Sequence, residues 1–472
     1  PNIHHNVMQS TDRAEEGTVN EDEVHEILDA ELEGGQAPME EDSDDGGEGG
    51  EDGEGNGDEQ FQDSSIAAFY DHRNSVFSLQ LHPKFPQIPI AFSGGADDKG
   101  RLWDTRTGAN IVELTGHEDS VVSGGFSATG SFVATGGLDG RIRIWNLHAP
   151  ASGTFAPVEM GAAPTTEWGH CEFITTLEGP DEIVWLDWHP KGDNVLAAGA
   201  SDSTVWMWHI PSGKVMNVFS GHTAAVSCGQ FSPDGRRLIT ASDDGSLIVW
   251  DPKDANALSK LQSGDARFNL QTGITALAVS ADGKIAVVGG AAGAIRVVNL
   301  SNIEDGGAAL VVAALSGHND GDSIERISFI DLLGNPNGQA TQPAPKATTS
   351  TNVVSVSTDG KAIIWDLSAG KVRCEAHLEE AITDLVVHGS GPLFTTSTSE
   401  GKVVTFDARN ANHVAVHHGF TDAVLNVVAG PDDGYTQGTE TGGVGAYANL
   451  EASKGWKVVA AGDEGVALVF RA

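Results

Sequence analysis

From residue 65 onward, apolar and polar positions alternate in short runs cut by turn residues such as the "SPDG" of Ser232–Gly235. Alternation sends successive side chains to opposite faces, so each run predicts a half-buried β-strand. The runs also repeat. "GHEDSVVSGGFSATGSFVATGGLDGRIRIWN" from Gly116 and "GHTAAVSCGQFSPDGRRLITASDDGSLIVWD" from Gly221 align without a gap, His117 on His222 and Asn146 on Asp251. A self-similar period of roughly 40–50 residues marks an architecture in which each unit buries its apolar face against the next. Each segment holds three strands, and a fourth falls between one "WD" and the following "GH". The third strands carry Trp103, Trp145, Trp208, Trp250, Val298, Trp365, Phe406 and Phe470 at the "W" position, which predicts eight units. Residues 1–64 follow another pattern. "EDSDDGGEGGEDGEGNGDEQ" has no apolar period and too little apolar surface to offset the entropy of ordering, so this tail is expected to be disordered. Within it, "EDEVHEILDAELE" predicts a short helix over 22–33 with Val24, Ile27, Leu28 and Leu32 on one face, either transient or a docking motif.

This repeat resembles the WD40 repeat, whose fold is the β-propeller. The resemblance implies an all-β, eight-bladed propeller over 65–472 behind the acidic tail of 1–64. The last blade ends its third strand near Phe470, so its fourth strand is expected from "SIAAFY", Ser65–Tyr70, which would close the ring and hide an open sheet edge. Blade 5 departs most from the pattern: Val298 replaces the aromatic and Ala292 the aspartate, so packing alone is expected to hold it. Blades 7 and 8 carry Glu400 and Glu464 in the aspartate slot. Insertions at 148–170, 331–350 and 430–455 all fall on connections that leave the bottom face or its edge, so the top face stays open.

In WD40 repeats a histidine, a Ser/Thr, the aspartate and the tryptophan form a hydrogen-bonded network inside the blade. The resemblance gives two full sets, His117, Thr135, Asp139 and Trp145, and His222, Thr240, Asp244 and Trp250. A buried carboxylate needs such partners. A catalytic His/Asp pair would be unique in the chain, whereas this one recurs, so its role is structural. No GxxxxGK[ST], HExxH, GxSxG or CxxC string occurs, and Cys171, Cys228 and Cys374 are far apart. The expectation is three buried thiols, no cofactor, no metal and no enzyme activity. Trp185 and Trp188 are read as core residues. No run of 18 or more apolar residues occurs and no signal peptide opens the sequence, which sets a soluble intracellular protein as the default.

Charge sharpens the picture. The formal net charge is −40, with 22 Asp/Glu against Arg13 alone in residues 1–64 and 45 acids against 26 bases beyond them. Phosphates would be repelled at every approach, so nucleic acid is excluded as a direct partner and a basic partner is the natural complement. The residue before each network aspartate faces the top rim: Ala96, Leu138, Ser201, Asp243, Ala291, Thr358, Ser399 and Asp463. Loops entering the first strands add Glu118, Asp119, Asp181, Glu182, Glu325, Glu379, Glu380 and Asp422, with Arg73 and Arg267 as the rare cations. Such a ring of carboxylates would take arginine forks, and Phe77, Val122, Val184 and Leu425 lie at neighbouring inner positions.

Four strings are narrower than the repeat: "EIVWLDWHP" at Glu182–Pro190, "STVWMWHIPSG" at Ser203–Gly213, "DSIERISF" at Asp322–Phe329 and "AAGDEGVALVF" at Ala460–Phe470. With the acidic tail they resemble the family of fungal ribosome-assembly WD40 chaperones for large-subunit ribosomal protein uL-sixteen (L-ten, or L10), to which the animal angio-associated migratory cell protein is related. That resemblance implies a cytoplasmic monomer, with the nucleus left open as a second location, and no membrane partner. It would hold the basic N-terminal segment of newly made L10 on its top face until the pre-60S particle takes it. Glu182, Asp243, Glu325 and Asp463 would form the inner salt bridges, and Glu118, Asp119, Asp181, Glu379, Glu380 and Asp422 the outer rim. Two other classes stay open: an acidic histone-type chaperone using the same surface, and a WD40 interaction scaffold using the Val24–Leu32 island.

Overall fold

The computed structural model describes residues 62–148, 171–334, 351–432, 434–436, 446–447 and 455–472. The predicted tail and its helix over 22–33 lie outside these residues, as does most of each insertion. The described strands form eight four-stranded antiparallel sheets and one short pair, Tyr435–Thr436 with Ala446–Tyr447. Blades 1 to 8 take as inner strands Val76–Leu81, Val121–Phe126, Ile183–Trp188, Cys228–Phe231, Ile274–Val279, Ile324–Ile330, Ile382–Val387 and Val424–Pro431. Seven blades are built from consecutive strands. In blade 8 the outer strand is Ala67–Phe69, paired antiparallel with the third strand Ala467–Arg471 in the register Ala67 to Val469 and Phe69 to Ala467.

Alternating strands with two apolar faces have to be covered on both sides, and neighbouring blades do this for one another. The buried apolar residues fall into eight clusters, one at each seam between blades. At the seam between blades 8 and 1, Phe69 is fully buried and stacks on Trp103 with ring centroids 5.0 Å apart. Trp185 and Trp188 are buried at the seams on either side of blade 3, and Trp188 Nε1 donates to Gly125 O at 3.1 Å.

Each seam also carries a side-chain hydrogen bond from an inner strand. Gln80 accepts from Phe126 N (2.5 Å), Ser123 from Leu186 N (3.0 Å) and Asp187 from Phe231 N (2.7 Å). Ser227 donates to Ile274 O (2.5 Å) and Thr275 to Ile324 O (2.7 Å). Arg326 Nε donates to Asp384 (2.9 Å), which accepts in turn from Val427 N (3.0 Å), and Asn426 closes the circle on Phe77 O (3.0 Å). The ring is thus sealed by dispersion outside and by hydrogen bonds around its axis.

Inside the blades the histidine network takes several forms. Blade 6 holds the complete set: Trp365 Nε1 donates to Ser355 Oγ (2.8 Å), Ser355 lies 2.7 Å from His318 Nε2, and His318 Nδ1 lies 3.1 Å from Asp359. A carboxylate only accepts, so Nδ1 carries the proton, and burial, which lowers the His318 pKa, keeps the ring neutral. In blade 2, His117 meets Thr135 (2.8 Å) and Asp139 (3.1 Å), but Trp145 departs from its expected role, because its Nε1 has no hydrogen-bond partner. Its ring is instead held edge-on by Phe173 at 5.1 Å, beside Arg143. In blade 4, Trp250 donates to Thr240 (2.8 Å) and Thr240 lies 2.7 Å from His222, but Ser246 takes His222 Nδ1 at 2.8 Å and leaves Asp244 at 3.7 Å. Blade 1 uses His72, Ser93 and Asp97, with Arg101 bonded to Asp97 at 2.6 Å. Burial opposes ionisation of Asp97, yet the hydrogen bonds from His72 and Arg101 hold it well below the usual carboxylate range.

Two expectations, on blade 5 and on the cysteines, are corrected. Blade 5 is not held by packing alone, since Arg296 Nη2 donates to Asn269 O (2.5 Å) and ties the third strand to the loop entering the blade. In blade 8, Glu464 accepts from Asp422 N (2.9 Å) and Thr421 N, while Phe420 fills the histidine position against Phe470. The cysteines are free and half-buried rather than fully buried.

Two outcomes follow from the seams. A chain beginning at residue 71 loses Phe69 and the closing strand, and should melt roughly 5 °C or more below one beginning at residue 62 in differential scanning fluorimetry. Asp187 gives a pH signature, because burial pushes its carboxyl up to about 7. The folded state then holds a proton that the unfolded chain has released, so this group lowers stability as pH rises from about 4 to about 7. Asp187→Asn keeps an acceptor for Phe231 N, as Gln80 provides one for Phe126 N. Its melting temperature should exceed the parent's by a margin that grows across that window and is level above it.

Candidate functional site

The loop that enters each inner strand and the turn between the second and third strands share the top face. One backbone bond joins them in every blade, from the rim residue to the residue just before the inner strand or, in blade 4, to Ala225 a little ahead of it. The eight are Ala96 to Ser75, Leu138 to Ser120, Ser201 to Glu182, Asp243 to Ala225, Ala291 to Gly273, Thr358 to Ser323, Ser399 to Ala381 and Asp463 to Ala423, at 2.8–3.1 Å. The residue two beyond each rim position has positive φ: glycine in six blades, Asp98 and Ser203 in the other two. Glycine there lets the turn lean on the next blade's loop, as Gly140 does on Pro180 O and Asp181 O, and Gly465 on His72 O and Asn74 O. The top rim is therefore a continuous ring of short, fixed turns.

Charge on this ring is uneven, and a cation in the same turn decides where. Lys99, Arg141, Lys361 and Lys402 follow the acid slot in blades 1, 2, 6 and 7, where the other blades have Thr204, Ser246, Ala294 and Val466. Arg141 pairs with Glu118 (2.9 Å), Lys99 with Glu113 (3.1 Å), and Lys361 bonds Asn319 Oδ1 (2.8 Å). Lys402 pairs with Glu380, which is buried; Glu380 is therefore not the free rim carboxylate expected. Cations at the top are accordingly more numerous than Arg73 and Arg267, and the "D-x-K", "D-x-R" and "E-x-K" spacing carried the signal.

The remaining expected carboxylates sort by partner. Glu325 is half-buried and accepts from Ser323 Oγ, and Asp119 accepts from Ser120 N (2.7 Å). Asp463 is exposed and accepts from Ser75 Oγ across the seam at 2.5 Å. Asp181, Glu182, Asp243, Glu379 and Asp422 are exposed. Partial burial, and then Asp244 beside it, raise the Asp243 carboxyl above its ordinary pKa. Partnered Asp97 and unpartnered Asp243 thus shift in opposite directions, and a cation brought to Asp243 would relieve the strain. Exposed acid without a neighbouring turn cation gathers on blades 3 and 4 (Asp181, Glu182, Asp202, Asp243) and on blade 8 (Asp422, Asp463).

Inside the rim, a central channel of about 720 Å³ is lined by the inner strands, with Asp187 and Arg326 among its walls. Seven inner strands carry a β-bulge at their second residue: Phe77, Val122, Val184, Thr275, Glu325, Thr383 and Leu425. A bulge turns the extra side chain out of the pleat, here at the channel mouth. Among the described residues no group of three or more His, Cys, Asp or Glu is placed to hold a metal ion, and no helix is long and apolar enough to cross a membrane. The arrangement suits recognition of an extended cationic chain.

Comparison with known proteins gives the same fold and narrows the lineage. The model for the WD domain, G-beta repeat, matches residues 108–146, 171–209 and 213–251. A WD repeat-containing protein of Schizosaccharomyces pombe is 31% identical over 377 residues, 78% of this chain and 82% of its own length. Ribosome assembly protein SQT1 of Saccharomyces cerevisiae is 27% identical over 429 residues, 86% of each chain. The crystal structure of Chaetomium thermophilum Sqt1 bound to the N-terminus of the ribosomal protein L10 superposes with a TM-score of 0.68 at 26% identity, covering 87% of this chain and all of that one. With eight blades, a repeated rim bond and these alignments, the chain belongs to the WD40-repeat family of β-propellers.

Proposed function

We propose that this protein is a dedicated chaperone in ribosome assembly that binds the basic N-terminal segment of ribosomal protein L10 on the top face of its propeller. The observation that carries the reading is the set of uncompensated carboxylates on blades 3, 4 and 8, above all Asp243 with its raised pKa. It is supported by the likeness to Sqt1, solved with the N-terminus of L10, and to ribosome assembly protein SQT1. Physically, the face shields arginines that would otherwise bind RNA or aggregate, and keeps the client soluble until the pre-60S particle takes it. Carboxylates around a low-dielectric mouth focus the field and speed capture. The protein acts without catalysis, as a cytoplasmic monomer. Glu182, Asp243 and Asp463 make the inner contacts; Asp181, Asp422 and Glu379 are the outer ones. Glu118 contributes less, because Arg141 already neutralises it; Asp119 and Glu325, hydrogen-bonded to neutral donors as Asp463 is, keep their charge and add to the field of the face.

The test is calorimetric titration of the full chain with the N-terminal segment of L10 and with a histone tail of matched charge, each at low and high salt. Selective binding of the first, weakening with salt, is the expected result. Equal binding of both would reduce the protein to a general polycation binder. Charge reversal of Glu182 together with Asp243 should weaken L10 binding by at least about tenfold, with the melting temperature within a few degrees of the parent. Glu380→Gln should do the reverse, lowering the melting temperature with little effect on affinity, because its carboxylate is buried against Lys402.

A further inference from the structure

The seven bulged positions and their blade 4 counterpart, Ser227, divide the channel mouth into two halves. On blades 4, 5 and 7 the residue is Ser227, Thr275 or Thr383, and each hydroxyl donates to a carbonyl of the next blade, Ile274, Ile324 or Val424. On blade 6 it is Glu325, bonded to Ser323. Three of these positions are committed to holding the ring, and the fourth is tied within its own blade. On blades 8, 1, 2 and 3 the residues are Leu425, Phe77, Val122 and Val184, contiguous around the mouth and incapable of such bonds. Phe77 and Val184 are each 37% exposed. The rim position itself is apolar on blades 1 and 2, with Ala96 and an exposed Leu138, while Arg141 neutralises the neighbouring Glu118. The two exposed acid groups stand at either end of this arc, Asp422 and Asp463 on blade 8, and Asp181, Glu182 and Asp243 on blades 3 and 4.

We propose that the bound segment crosses the mouth along the arc of blades 8, 1, 2 and 3, its cationic side chains at the two ends and an apolar or aromatic stretch between them against Phe77, Val122 and Val184. The inference rests on the reading of a basic client at this face and adds the chemistry by which that client is told from other polycations. Charge complementarity fixes the ends; exclusion of water from four contiguous apolar side chains fixes the middle. A chain that is basic throughout would satisfy the ends and leave the arc wet. Selectivity then comes from a patterned segment rather than from net charge.

The full chain is titrated by fluorescence anisotropy with the N-terminal segment of L10, and with an equally charged copy whose apolar and aromatic side chains are replaced by serine. The serine copy should bind about tenfold more weakly. Phe77→Ser combined with Val184→Ser should impose the same loss on the native segment and leave the serine copy within about twofold, the signature of a shared contact. If that variant melts early, Val122→Ser with Leu138→Ser repeats the cycle at two other positions of the arc. Equal affinity of the parent for both peptides overturns the arc and leaves the basic-client reading standing, as do serine variants that weaken both peptides alike. Binding of neither peptide overturns both.

Discussion

Everything on the top face depends on the closure of the ring. Each blade exposes two apolar faces that only its neighbours can cover, so an open circle would leave one seam wet and one sheet edge unpaired. The last seam joins the two ends of the described chain: Phe69 lies buried against Trp103, and Ala67–Phe69 completes the eighth sheet. The hydrogen bonds of the inner strands follow the same circle, ending where Asn426 reaches Phe77 O. Because the rim turns lean on one another from blade to blade, the position of every top-face carboxylate follows from this closure.

Stability is carried at the seams and in the blade networks, and the two respond differently to charge. Within the blades, Asp97, Asp139 and Asp359 are surrounded by donors, and all three titrate below the ordinary range despite the burial that opposes them. At the seams the partners are interchangeable. The amide of Gln80 and the carboxylate of Asp187 accept the same kind of bond from the next blade, which shows that the seam needs an acceptor and not a charge. At the mouth a serine or threonine hydroxyl bridges the seam in the opposite sense, donating to a carbonyl of the next blade. Variation along the inner strand can therefore set the character of the channel without opening the ring.

The eight blades were legible because the short spacing from the aspartate slot to the tryptophan position survives even where the residues do not, as with Ala292 and Val298 in blade 5. The network was legible only where the histidine also lay close. Blade 6, the complete set among the described residues, was passed over because an insertion separates His318 from Ser355 and Asp359. Trp145 had the right residue at the right position and lacks its bond because Phe173 holds the ring elsewhere, a tertiary contact no spacing reveals. The top face was legible as acidic, but counting acids by position could not show that Lys402 neutralises Glu380 or that Arg141 occupies Glu118. The bulges were invisible for a physical reason: simple alternation assigns every second residue to a face, and one extra residue breaks that assignment at the point where the mouth is formed.

What remains on the top, once the paired acids are set aside, is a surface at odds with itself. Like charge is gathered on blades 3, 4 and 8, and partial burial, then Asp244 beside it, raise the Asp243 carboxyl above its ordinary pKa. A fold whose stability lay in its loops could not tolerate this. Here the loops are braced by backbone bonds and by the turn residues of the next blade, so the repulsion is left unrelieved without loss of structure. On the proposed reading, arrival of a cationic segment would remove that repulsion while burying the apolar side chains between the two acid groups, so that the electrostatic and hydrophobic gains would fall on the same ligand. Net charge alone would give the first gain to any polycation. The second is reserved for one whose apolar residues fall at the right place along its length.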